Sequence, residues 1–395
     1  MDKNIKFKQK KCLYILAFAN LCFWISMMAI YPITPILGSE LNTSPSNLGK
    51  ILGLSSLIML ILNIPAGILS DKFGRVPYIK LGMILIFLSS FLAFFSKNYI
   101  FFSISWLLGG VGRGLFLSPA FAIIGDVYSL KERGTAMGIL TASIGIGTII
   151  GYILGSIFGG IIGWRSVFII VSILNFLAII ASLFIIETSP KKSQKTVIET
   201  VQSLFGLFKI KTTRLLSFIS LLGFSSSVAI TFILPFIFER KNLSLTYLTW
   251  FFLSYEIFAT FSTIFVGKIS DKYGRKRPLL WICLISSMSL IGLLLSSEYI
   301  YAILIFYTIL SCSETPLISI TGTMITDIIN KINPQEIGSA LGSFRTIYSL
   351  GAVIGPWLGG LLIETNSLSV SFIIVLLISL ICLVLSGFVK ETFNN

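Results

Sequence analysis

Apolar residues along this chain gather in long unbroken runs, and polar residues gather in short islands between them. Twelve runs stand out, at roughly 12–37, 48–69, 78–96, 100–126, 135–161, 166–186, 214–238, 247–268, 278–296, 301–327, 339–364 and 369–389. Each has the length that crosses a bilayer as a helix. None alternates with the two-residue period of a transmembrane barrel strand. In lipid a backbone must satisfy its polar groups within its own segment, so the runs predict helices. The expected fold class is an all-α membrane protein with twelve transmembrane helices. Composition agrees, at 55% hydrophobic and 12% charged residues with a mean hydropathy of +0.94. The opening "MDKNIKFKQKKCLYILAFANLCFW" starts like a secretory leader. Its apolar run is too long for one and no small-residue cleavage site follows, so it reads as helix 1.

The longest polar gap runs from Glu187 to Arg214 and divides the helices six and six. The expected domains are 1–190, a linker at 191–213, and 214–395. Within the linker, Val197, Val201, Leu204, Phe205 and Phe208 recur at helical spacing. Two readings stay open there, a helix lying on the inner membrane surface and a linker with incidental spacing.

The net charge of +14 raises the question of nucleic acid, but its distribution answers it. With the N-terminus inside, the inner pieces hold 23 of the 30 Lys and Arg and the outer loops 5; Arg113 and Arg345 fall within runs. That asymmetry predicts a multi-pass cell-membrane protein with both termini cytoplasmic and a basic surface facing anionic lipid heads. No nucleic-acid partner is expected. The five cysteines all sit in apolar runs without a C-x-x-C pair and read as packing residues. Histidine is absent, which removes His-based zinc sites and Ser–His or Cys–His catalysis. No nucleotide-binding glycine loop is present. The expectation is no enzyme, no cofactor and no metal.

The two halves repeat one another. At an offset of 200, "GILSDKFGR" from Gly67 answers "GKISDKYGR" from Gly267, and Pro35 answers Pro235. At 201, Asp126 answers Asp327. At 204, Gly134, Gly138, Gly147, Gly151 and Gly155 answer Gly338, Gly342, Gly351, Gly355 and Gly359. Two parallel six-helix repeats, forming two pseudo-symmetric bundles, are a transporter architecture with its site near the midplane.

The charged island, G-x-x-x-D-x-x-G-R, stands as Gly67, Asp71, Gly74, Arg75 between helices 2 and 3 and as Gly267, Asp271, Gly274, Arg275 between helices 8 and 9. On these residues the chain resembles the major facilitator superfamily over essentially its whole length. The resemblance implies a conformational latch in which Asp71 meets the N-terminal end of helix 11. Arg75 has Asp126 as its natural carboxylate partner, and Arg275 has Asp327. A second family pattern, G-x8-G-x3-G-P-x2-G-G, belongs to the drug:proton antiporter branch. Helix 11 carries it whole as Gly342, Gly351, Gly355, Pro356, Gly359 and Gly360, whereas helix 5 has Tyr152 for the proline and Ser156 for the last glycine. These stripes are expected to pack helices closely across the two halves, with Pro356 bending helix 11. The family often has an Arg in helix 4. Here Trp106 holds that place, and Arg113 follows two turns later on nearly the same face.

Four ionisable residues lie well inside runs: Arg113, Glu256, Glu314 and Arg345. Intramembrane charges are costly and mark pathways. Arg113 and Glu314 are 201 apart and hold equivalent repeat positions, in helices that line the cavity of the family. They are expected to face one another as substrate or proton contacts. Asn20 in helix 1 is a further polar candidate. The expected function is a secondary transporter, working by alternating access, that exports a small organic solute against protons, as a monomer. A symporter taking up a charged metabolite and a non-transporting membrane sensor stay open beside it.

Overall fold

The structure is a computed structural model, and it describes residues 3–188, 210–332, 337–365 and 367–392. The linker stretch from Val197 to Phe208 lies outside the described residues. Among those residues, twelve helical segments are long and apolar enough to cross a membrane, and they are numbered α1–α12 in chain order. The first six are α1 (Gln9–Glu40), α2 (Pro45–Phe73), α3 (Arg75–Phe94), α4 (Tyr99–Val127), α5 (Lys131–Ile161) and α6 (Trp164–Ser182). The second six are α7 (Lys211–Arg240), α8 (Leu245–Tyr273), α9 (Lys276–Leu295), α10 (Ile300–Ile332), α11 (Ala340–Glu364) and α12 (Leu368–Gly387).

Two segments are broken. In α1 the helix stops at Met28, passes through a 3-10 turn at Tyr31–Ile33 and resumes at Thr34. Pro32 and Pro35 sit at the restart, where a missing N–H costs no hydrogen bond. In α11 the break falls between Ser349 and Gly351, six residues ahead of Pro356, which itself lies within the resumed helix.

By contacts the chain forms two compact units. The first holds Met1–Thr43, Leu54–Val197 and Asn242–Thr249; the second holds Ser44–Gly53, Ile198–Lys241 and Trp250–Asn395. In the first unit, α1 packs on α5 and α6, and α3 packs on α4 and α6. In the second, α7 packs on α11 and α12, and α9 packs on α10 and α12. One packing scheme therefore recurs, shifted by six helices.

Glycines set the closest of these contacts. A Cβ on Gly147, Gly151 or Gly155 would stand 2.8, 2.9 or 2.3 Å from the Leu21, Ile25 or Ala29 carbonyl oxygen of α1. Gly351, Gly355 and Gly359 lie equally tight against α7, facing Ser225 N, Val228 and Ala229 O. The glycine stripes thus seat each helix on the first helix of its own repeat, and this corrects the expectation that they pack across the halves. A four-residue spacing defines a smooth face and does not name the neighbour. The other side of α11 does meet first-repeat chain, inside the second unit, and Gly160 of α5 meets Leu245 and Thr246 inside the first. Gly360 lies on Pro45, and the Pro356 carbonyl leaves no room for a Cβ on Gly49. Ser46 N donates to Glu364 there at 3.0 Å.

Candidate functional site

The charged islands are built around a backbone turn. Gly74 (φ 99°) and Gly274 (φ 86°) connect α2 to α3 and α8 to α9 in a conformation that side chains disfavour. A helix starting after such a turn has N–H groups without partners. Glu187, just beyond α6, supplies them for α3: the Arg75 and Val76 N–H groups donate to its two carboxylate oxygens at 2.8 and 3.1 Å. Glu391, just beyond α12, does the same for α9, accepting from Arg275 and Lys276 N–H at 2.9 and 3.0 Å. The carboxylates also sit at the positive ends of the helix dipoles.

The Arg75 guanidinium then pairs with Asp71 at 3.0 Å and Asp126 at 2.8 Å, with its side chain 8% exposed. Thr188 donates to the same Asp126 oxygen, Oδ2, at 3.0 Å. In the second repeat Arg275 pairs with Asp271 at 2.5 Å and Asp327 at 3.3 Å, and Thr392 donates to Asp327 at 3.4 Å. The structure therefore brings together Asp71, Arg75 and Asp126, and likewise Asp271, Arg275 and Asp327. It adds a Glu–Thr pair to each cluster that the sequence reading passed over. The signal was present, because Glu187–Thr188 and Glu391–Thr392 recur at the offset of 204 that relates the glycines. Gly67 packs on the Ser118 side chain of α4, whereas nothing lies within 4 Å of a Cβ built on Gly267.

Deep in the first unit, α4 carries Gly109, Gly110, Gly112 and Gly114. A Cβ on Gly110 would stand 2.7 Å from the Ser55 carbonyl oxygen of α2, and one on Gly112 would stand 2.6 Å from the Gly82 oxygen of α3. This close approach encloses Arg113, which is 4% exposed. Long helical side chains run back toward the N-terminus. Arg113 follows that rule, donating to Gly109 O at 3.0 Å, Ser55 Oγ at 3.2 Å and Trp106 O at 3.4 Å. Its guanidinium carbon lies 4.5 Å from the centre of the Trp106 ring, a cation–π contact. The charge is thereby delivered back to the level of Trp106, the place where the resemblance expects an arginine. A cavity of about 10 Å³ adjoins it, lined in part by Ser26, Ser89, Ser90 and Phe168.

Deep in the second unit, α10 holds Glu314 at 9% exposure. Ser227 of α7 donates to its carboxylate. The Ser227 hydroxyl also bonds to Tyr255 Oη of α8 at 2.7 Å. When Ser227 gives its one proton to an ionised Glu314 it accepts from Tyr255, and the two hydroxyls then form a chain ending on the carboxylate. The Tyr255 ring packs 4.8 Å from that of Tyr307, whose hydroxyl meets Thr231 at 3.3 Å. A cavity of about 20 Å³ opens beside Glu314, with Ser226, Ser286 and Ser313 on its wall. Ser227 and Tyr255 were not sequence candidates. The run Ser225–Ser227 in an apolar helix was their only signal.

The other candidates are placed less centrally. Glu256 is half-buried on α8 and Arg345 is exposed on α11. Asn20 is fully buried and donates to Leu140 O at 3.1 Å and Ser143 Oγ at 2.9 Å, tying α1 to α5.

Two enclosed charges, clasped helix ends and a doubled packing scheme describe a membrane carrier, and comparison with known proteins supplies the family. The Major Facilitator Superfamily model matches residues 16–349. The chain belongs to the Major Facilitator Superfamily. As a member it is a transporter of small molecules across a membrane, not an enzyme. Multidrug resistance protein 2 of Bacillus subtilis (strain 168) is 24% identical over 385 residues, covering 93% of this chain and 92% of that protein. Quinolone resistance protein NorA of Staphylococcus aureus (strain COL) is 24% identical over 360 residues, covering 90% and 91%. Among solved structures, a bacterial homologue of the human lysosomal transporter Spinster, in an inward-facing and unoccupied conformation, superposes with a TM-score of 0.84 at 16% identity over 98% of both chains. That last likeness shows the fold.

Proposed function

We propose that this transporter exports small amphiphilic organic compounds in exchange for protons, with Glu314 as the proton-carrying group and Arg113 as a polar contact of the transport pathway. The observation that carries the reading is the environment of Glu314. It is a buried carboxylate held by the Ser227 hydroxyl, itself bonded to Tyr255, with no Lys or Arg paired to it among the described residues of its unit. Enclosure of a carboxyl without a cation is compatible with one proton on it, and contact with water is compatible with its loss. A group that alternates between those settings carries a proton each cycle. The names of the multidrug and quinolone resistance relatives support export of organic compounds. Both termini are cytoplasmic in this reading, by the distribution of Lys and Arg. The clasped loops at the same end act as latches on the conformational cycle.

The test uses purified protein in liposomes under an imposed pH gradient, with a fluorescent quinolone as probe. Wild type accumulates the probe against its gradient. Glu314→Gln loses accumulation and keeps downhill exchange. Full pH-driven accumulation by Glu314→Gln removes the proton role; no probe movement by wild type, across a panel of organic cations and anions, removes the export reading.

A further inference from the structure

On the outer surface of the second unit, a groove of about 410 Å³ runs between α9 and α12, lined by Arg277, Leu280, Trp281, Leu284 and Leu383. The α9 residues fall at i, i+3, i+4 and i+7, so they form one stripe of the helix. From Arg277 to Leu284 the stripe covers about 10 Å, the upper part of one leaflet. Its chemistry is graded. Leu280, Leu284 and Leu383 make an apolar floor. Trp281, 64% exposed, stands where an aromatic ring is at home between headgroup and hydrocarbon. Arg277 lies exposed at the mouth, with no hydrogen bond or ion pair among the described residues. Beside it Lys276 Nζ donates to Gly387 O at the end of α12 at 3.0 Å, which leaves two of its protons free. The carboxylate at the start of α9, Glu391, is already engaged by the Arg275 and Lys276 N–H groups. The first repeat lacks this arrangement. At the offset of 200, Val76, Pro77 and Leu81 stand for Lys276, Arg277 and Trp281, and its one cation on the stripe, Lys80, stands where α9 has the apolar Leu280.

We propose that this groove is a binding site for one anionic phospholipid, its phosphate held by Arg277 with Lys276 and one acyl chain lying along Leu280, Trp281 and Leu284. Ordinary lipid covers any apolar outer face. A free guanidinium and an amine at the mouth of an apolar groove, on one repeat only, select a lipid with a net negative head.

Trp281 itself reports occupancy. The full-length protein is reconstituted in vesicles in which a fixed fraction of the lipid is brominated in its acyl chains, as phosphatidylglycerol or as phosphatidylcholine. The Trp281 signal is the difference between wild type and Trp281→Phe. Its quenching is expected to show about a fivefold preference for the phosphatidylglycerol, as one well-placed basic residue provides. Arg277→Ala should abolish most of that preference and Arg277→Lys should keep part of it. Lys211→Ala, which removes an exposed charge at the start of α7, should leave it intact. Equal quenching by both lipids overturns the site, as does a preference that Arg277→Ala leaves unchanged. A loss as large in Lys211→Ala reduces it to general surface attraction and overturns it too. None of these outcomes depends on what the transporter exports.

Discussion

Removing the Glu187 carboxylate should loosen the start of α3 and nothing else of comparable size. Glu187 accepts from Arg75 N at 2.8 Å and Val76 N at 3.1 Å. Losing a helix cap costs about 0.5–2 kcal/mol, and losing a negative charge at a helix N-terminus adds about 0.3–1 kcal/mol. The two overlap, because the same oxygens do both jobs, so about 1–2 kcal/mol is expected for Glu187→Ala. That corresponds to local opening about 5–30 times more frequent. Glu187→Gln keeps one acceptor oxygen and should fall between. The assay is hydrogen exchange by mass spectrometry, on peptides covering 75–80 with 275–280 as an internal control. Glu391→Ala should produce the mirror result, because the helix Glu391 caps is α9. The reasoning is refuted if exchange at 75–80 changes less than twofold in Glu187→Ala, or if both peptides respond equally.

Other substitutions follow from the distances described above. Gly74→Ala combines a positive φ with a Cβ 2.9 Å from Glu187 Oε2, and should cost about 1–2 kcal/mol in unfolding measurements; Gly134→Ala, with nothing within 4 Å, should be neutral or slightly stabilising. Gly155→Ala places a Cβ 2.3 Å from Ala29 O and should lower the melting temperature by forcing α1 from α5, whereas Gly138→Ala should not. Arg113→Lys cannot reproduce the fork to Gly109, Ser55 and Trp106, and transport is expected to fall about tenfold at unchanged expression. The double exchange of Arg113→Glu with Glu314→Arg should fold and remain inactive if each group acts in place; restored transport would mean that the two only hold the structure.

The helices were legible because lipid makes length and hydropathy nearly sufficient. Internal repetition made the pairs Arg75–Asp126 and Arg275–Asp327 legible as well, since each partner recurred at a repeat offset. Glu187 and Glu391 escaped because their contacts are to backbone N–H groups, which look alike at every position of a sequence. Ser227 and Tyr255 escaped for another reason. Ser227 reaches Glu314 from α7 and Tyr255 reaches Ser227 from α8, 87 and 28 positions away along the chain, and an ordinary serine or tyrosine gives no hint of such a partner. The glycine stripes displayed a face without its neighbour. For Arg113 the seven-residue spacing to Trp106 carried real information, because a helical arginine reaches back over two turns.

The clasps also record how the chain came to be doubled. Glu187–Thr188 and Glu391–Thr392 are the last described features of their repeats, and each folds back on its own third helix. A six-helix ancestor ending at such a clasp would have had the start of its third helix capped from within its own chain. The offsets agree: 200 at the first island, 201 at Asp126 and 204 from Gly134 to the clasp, so three of the four residues by which the repeats differ fall between Asp327 and Gly338. Length differs there without disturbing the register of either closure. Later drift could then act on the interiors separately, leaving a cation in one copy and a carboxylate in the other.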